Sequence, residues 1–129
     1  MKKRLLEHAQ RYLEKSADDE NLLAAILNNR QISDEIFGFH AQQAIEKLLK
    51  AALTVLDVRV GKVHDLRRLM DDCANAGEPL PKSLLALDIL TPYGVVGRYE
   101  NVPFKHPFTR QELYELVKEF RKWVEGKVH

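Results

Sequence analysis

Residues 33–57 read Ser33-Asp34-Glu35-Ile36-Phe37-Gly38-Phe39-His40-Ala41-Gln42-Gln43-Ala44-Ile45-Glu46-Lys47-Leu48-Leu49-Lys50-Ala51-Ala52-Leu53-Thr54-Val55-Leu56-Asp57, and this stretch decides the fold. Phe37, Ala41, Ala44, Leu48, Ala52 and Val55 recur at spacings of three and four, which is the period of one face of an α-helix. Ile45, Leu49 and Leu56 widen that stripe. Ser33 offers an N-cap hydroxyl, and Asp34 and Glu35 put negative charge where the helix dipole favours it. Gly38 costs about 1 kcal/mol relative to Ala, which a helix of this length absorbs. Alanines at 41, 44, 51 and 52 let another helix approach closely. Glu46 and Lys50 stand four apart in the favourable order, worth a few tenths of a kcal/mol. This is the central helix of whatever the chain builds.

Working outward, residues 4–28 form a second long helix. Leu5, Ala9, Tyr12, Ser16, Asp19, Leu23 and Ile26 follow one stripe. Ser16 and Asp19 are polar members of it, and a carboxylate on a core-facing stripe needs a partner or takes up a proton. The plainer alternative is that Asp19 lies at the stripe edge and reaches water. Downstream, residues 58–63 form a loop around Gly61, and a third helix covers about His64 to Asn75. A fourth, shorter helix spans 81–90 and is broken by Thr91-Pro92-Tyr93-Gly94. Val95 to Phe108, with Gly97, Pro103 and Pro107, reads as irregular with a helical turn near Val95–Tyr99. Thr109-Arg110-Gln111-Glu112 is a capping box that opens the last helix. Short connections between amphipathic helices favour antiparallel neighbours, so the expected fold is all-α, an up-down bundle of four to five helices in a single domain over 1–129.

With 129 residues, 20 Lys and Arg against 19 Asp and Glu, and one Cys, the chain suits one core with no disulfide staple. A net charge of +1 argues against a binder held mainly by phosphate neutralisation. No signal peptide is visible, and no apolar run approaches the ~18 residues of a membrane span; a cytoplasmic location is expected. There is no Gly-rich phosphate loop, nucleophile elbow or H-E-x-x-H pair. The five His residues, at 8, 40, 64, 106 and 129, lack metal-ligand spacing, so neither metal nor cofactor is expected.

Ile36, His40, Gln43 and Lys47 form a polar stripe beside the apolar face of the central helix. His40 donates and accepts near neutral pH, Gln43 offers both functions, and Lys47 is a point charge for a carboxylate or phosphate. With Asp19 and Arg98 facing it, this stripe becomes a cluster of both signs. Two readings stand: a nucleotide or RNA pocket, or a buried network that sets helix register.

Phe39 to Ala51 resembles the central helix of the HEPN domain, a nucleotide-binding helical module of prokaryotes and higher eukaryotes. Tyr12 to Asp19 is similar to its first helix and His64-Asp65-Leu66 to the start of its third. Leu87 to Tyr99 is similar to the segment closing on an Arg-Tyr pair, here Arg98-Tyr99. The resemblance covers nearly the whole chain. It implies a compact bundle, commonly a homodimer, often working beside a separate minimal nucleotidyltransferase and sometimes as a toxin–antitoxin pair. It adds Tyr99 to the candidate cluster of Asp19, His40, Gln43, Lys47 and Arg98.

Ribonucleases of that family carry an Arg, four to six residues, then a His near the end of the bundle. Here Arg98 and His106 are separated by seven residues across Pro103, so they cannot share a regular helix face. Arg59 and His64 have the spacing but sit in the loop before the third helix, and read as coincidence. Cys73 reads as core, and Lys118, Arg121, Lys122 and Lys127 as a solvated face. The leading expectation is a non-catalytic, dimeric binding module for a nucleotide or RNA-derived ligand. The alternatives are a metal-independent ribonuclease or toxin using Arg98 and His106, and a purely structural dimerisation module. With no room for a fused nucleotidyltransferase, any such chemistry is expected from another chain.

Overall fold

In the computed structural model, which describes residues 2–94 and 106–129, the expected central helix forms as α2, Asp34–Val55. It is preceded by α1, Lys3–Ile26, and followed by α3, Leu66–Asn75, α4, Lys82–Leu85, a 3₁₀ helix, Ala86–Gly94, and α5, Arg110–Glu125. No strand occurs among the described residues. Ser33 caps α2 by accepting the N–H of Ile36. The chain turns back between α1 and α2, so Ser16 faces the carbonyl of Ala44 while Leu5 and His8 lie beside Thr54. The pair is antiparallel, as a short connection between amphipathic helices requires.

α2 is the hub: α1, α3, α5 and the 3₁₀ helix all pack on it. Its apolar stripe is buried as read, including Phe37, Ala41, Ala44, Leu48 and Ala52, with Val55 half-buried at the end. Because neighbours surround it, a second stripe is buried too: Gly38, Gln42, Glu46, Lys50 and Thr54, each four residues on from the last. This stripe is mostly polar, and it shapes the site described below.

The structure corrects three local readings. α3 starts at Leu66, not His64. Asp65 is its N-cap, accepting from the N–H of Arg67, and the hydroxyl of Thr91 accepts from Leu66, so His64 is left outside the helix. The fourth helix is α-helical only over Lys82–Leu85; it then tightens into 3₁₀ geometry that runs through Pro92 to Gly94. Two glycines seat that segment on α2. A Cβ on Gly38 would come 2.5 Å from Cδ1 of Tyr93, and one on Gly94 would collide with the side-chain amide of Gln42. Gly38 is therefore a contact requirement rather than a tolerated weakness of the helix.

α5 opens with both halves of the capping box formed by Thr109 and Glu112. Two arginines tie it to the rest. Arg110 donates to the carbonyls of Ile26, Asn29 and Ile32 and to Asp34, and its guanidinium lies over the Phe37 ring. Arg121 grips Glu20 at 2.8 and 2.9 Å and reaches the carbonyl of Leu13. Lys127 pairs with Glu78. The face read as solvated is thus partly spent on inter-helix ties, because α5 packs where its basic residues meet α1 and the turn before α4. Lys118 and Lys122 remain exposed.

Candidate functional site

Asp19 is the first centre of charge. Its α1 position faces α2, where side chains seven residues apart on one stripe reach it together. His40 Nδ1 lies 3.0 Å from Oδ1 and Lys47 Nζ 2.6 Å from Oδ2. A carboxylate only accepts, so Nδ1 of His40 carries the proton and Nε2 is left as the ring's second polar atom. Asp19 is buried, while the side chains of His40 and Lys47 retain 24% and 27% exposure. The arrangement fixes two cationic or hydrogen-bonding groups on a buried anchor and leaves part of each at the surface. The expectation that a core-facing Asp19 needs partners describes its setting; the stripe-edge alternative does not.

Next to Lys47 in sequence but on the buried stripe of Gln42 and Lys50, Glu46 is the second centre. Lys50 Nζ is 3.0 Å from Oε2, Gln42 Nε2 donates to Oε1 at 3.0 Å, and His64 Nδ1 sits 3.1 Å from both oxygens. Burial alone would raise the Glu46 carboxyl; the hydrogen bonds from Gln42, Lys50 and His64, with the charge of Lys50, hold it below its ordinary value. Gln43 donates to Oε1 of Gln42 at 2.7 Å, so the two amides extend this network back toward the stripe that holds His40 and Lys47. Both centres share one plan: a buried carboxylate held by one lysine and by one imidazole through Nδ1.

The sequence matches the HEPN domain family over residues 3–127, nearly the whole chain. The chain belongs to the HEPN family. No curated protein and no solved structure matches it. Of the candidate site residues, Asp19, His40 and Lys47 are brought into direct contact, and Gln43 joins the neighbouring network through Gln42. Arg98 and Tyr99 lie outside the described residues, as does the helical turn expected near Val95–Tyr99. The chain enters that stretch from Gly94, which rests against Gln42.

His106, the other half of the Arg-His pair weighed for this HEPN chain, is described. Its Nδ1 accepts from the N–H of Phe108 at 3.1 Å, and its ring lies against Tyr93 and Phe108. Accepting through Nδ1 requires the neutral ring to carry its proton on Nε2. Burial pushes this imidazole below its ordinary pKa, with Asp34 opposing. Among the described residues, no group of three His, Cys, Asp or Glu is placed to hold a metal. No described helix is long and apolar enough to cross a membrane.

Sequence reasoning missed Gln42, which is fully buried, and it read His64 as an ordinary helix-start residue and Glu46–Lys50 only as a favourable pair four residues apart. A signal existed. Gln42, Glu46, Lys50 and Thr54 repeat every four residues, and from Ala44 to Val55 the other residues, apart from Lys47, are Ala, Leu, Ile and Val. A helix apolar on most sides is buried on most sides, so its polar stripe had to be buried and paired.

Proposed function

We propose that this HEPN chain is a non-catalytic binding module that forms a homodimer, associates with a separate minimal nucleotidyltransferase and holds a nucleotide or RNA-derived ligand along the polar side of α2. The observation that carries this reading is the double clamp on Asp19. His40 and Lys47 are held in place by a buried carboxylate yet stay about a quarter exposed, which is how a fixed polar pair, with the Lys47 ammonium as its donor to phosphate, is presented at a surface. An ammonium bonded once to Asp19 keeps two N–H bonds for a ligand, and the Nε2 atom of His40 supplies a further polar contact. Half-buried Gln43 adds an amide able to read a base edge, held in place by its bond to the buried Gln42. A second copy of the chain in a homodimer would double this set around one groove.

A thermal-shift screen against nucleoside mono- and triphosphates tests the ligand. A ligand at one hundred times its Kd stabilises the folded state by about 2.7 kcal/mol, an easily measured rise in Tm. Affinity capture from the source cell tests the partner. A flat screen together with no nucleotidyltransferase captured would refute the proposal.

One observation favours the competing structural reading: no buried side-chain nitrogen or oxygen among the described residues lacks a hydrogen-bond partner. A network satisfied without a ligand is what a register-setting device needs. That reading predicts that Lys47→Met leaves dimer mass and all ligand responses unchanged.

A further inference from the structure

The near-zero net charge hides a strong segregation along α1. Residues 2–15 contain five Lys or Arg and two Glu, whereas residues 16–35 contain one Arg and five Asp or Glu. The basic half lies at the end of the bundle away from the α1–α2 turn. There it borders a cleft of about 420 Å³ lined in part by His8, Tyr12, Thr54, Asp57, Arg59 and Gly61. A smaller hollow of about 120 Å³ adjoins it, formed by His8, Arg11, Tyr12 and Lys15. His8 and Tyr12, one helical turn apart, stack with centroids 5.2 Å apart and planes 19° from parallel.

Elsewhere in the described residues some cations are spent on carboxylates, while exposed Arg30, Arg68, Lys82 and Lys122 are not and border neither the His8–Tyr12 stack nor its two hollows. Lys47, Lys50, Arg67, Arg110, Arg121 and Lys127 are each held by a carboxylate. Among the described residues, Arg4, Arg11, Lys15, Arg59 and Lys62 make no ion pair or side-chain hydrogen bond, although exposed Glu7, Glu14 and Asp57 share the region. Exposed cations left unpaired around a concave site keep their full attraction for an incoming anion.

The geometry points to a second binding site, at this end of the bundle, for a single-stranded polynucleotide. Phosphates meet Arg11, Lys15 and Arg59, and a base stacks on the His8–Tyr12 pair. A parallel aromatic stack flanked by unpaired cations is the combination by which single strands are held without sequence readout. The basic residues extend from Lys2 to Lys15, about 20 Å along the helix, farther than the phosphates of one nucleotide can reach together. A duplex fits poorly, since its bases are unavailable to the rings. An acidic protein would use the cations but has no need of the stack. The site is separate from the Asp19 and Glu46 networks and does not depend on the reading given to them.

The test is fluorescence anisotropy with an unstructured labelled oligothymidylate of about fifteen nucleotides. Binding is expected to weaken about tenfold to a hundredfold between about 50 and 200 mM salt, the slope for three to five phosphate contacts on a single strand. Arg11→Gln with Lys15→Gln and Arg59→Gln should weaken it at least tenfold. His8→Ala, at an exposed position, should weaken the oligothymidylate several-fold and leave an abasic strand of equal length unaffected. Control replacement of the exposed Lys82 and Lys122 by Gln should change little. No binding by the wild type, equal competition by polyglutamate, or equal loss in the Lys82/Lys122 control would each overturn the inference.

Discussion

Replacing Glu46 by Leu isolates the interaction on which the centre of α2 depends. Glu46 and Lys50 keep only 9% side-chain exposure each, so the substitution strands an ammonium in the core. Removing one partner of a buried ion pair costs about 3–5 kcal/mol, mostly from the charge left behind. For a chain of this length that is a fall in Tm of about 12–20 °C. His64 contributes little to this figure, since it is 70% exposed and its pairing is screened by water. Adding Lys50→Met removes the stranded charge, and the double variant should return to within about 2 kcal/mol of the wild type. The pH dependence follows from the depressed carboxyl of Glu46. A group whose folded pKa lies below its unfolded value stabilises the fold above the unfolded value, and that contribution is lost as pH falls through the folded one. Urea unfolding of the four proteins of the cycle, near neutral pH and again near pH 3, measures both effects. The wild type should lose part of its advantage over the double variant at the lower pH. A single-variant cost below about 1 kcal/mol, or a double variant destabilised by the sum of the singles, would refute the reasoning.

Gly38→Ala should destabilise despite the gain in helix propensity of about 1 kcal/mol, because the new methyl meets the Tyr93 ring; a net loss of about 1–3 kcal/mol in thermal unfolding is expected. Arg110→Met should cost about 2–4 kcal/mol, since three backbone carbonyls at the α1–α2 connection lose their donor at once, and urea denaturation reads it directly. Cys73 is buried, and that burial, with Asp72 and Glu78 adding negative charge, pushes its thiol up to about 12. It should resist a thiol-specific reagent at neutral pH in the native protein and react at once in denaturant.

The helices were legible because their signals are local. Ser33, the Thr109–Glu112 box and the stripe from Phe37 to Val55 each define an element within a few residues of sequence. Asp19, His40 and Lys47 were also legible as a set, since a carboxylate on the apolar stripe of one helix asked for partners and the polar stripe of the other supplied them. What could not be read depended on a third element arriving. Glu46 and Lys50 read as a favourable i,i+4 pair worth little until α3 and the 3₁₀ helix cover α2. His64 looks like a helix start until Asp65 and Thr91 claim the cap of α3. Arg121 and Lys127 look solvated until α5 is docked beside Glu20 and Glu78. Gly38 reads as a defect because the Tyr93 ring that occupies its missing side chain lies 55 residues downstream. Each miss is a tertiary contact overriding a local preference.

The central claim is that the Asp19-anchored pair on α2 receives a ligand rather than only locking two helices. Isothermal titration of ATP, GTP and AMP into the wild type and Lys47→Met, with light-scattering mass measured on both, tests it most directly. The account predicts that at least one nucleotide binds the wild type, that Lys47→Met weakens it tenfold or more, and that the two proteins have the same mass and fold. Equal affinity in both proteins, or no heat from any nucleotide with either, would contradict it.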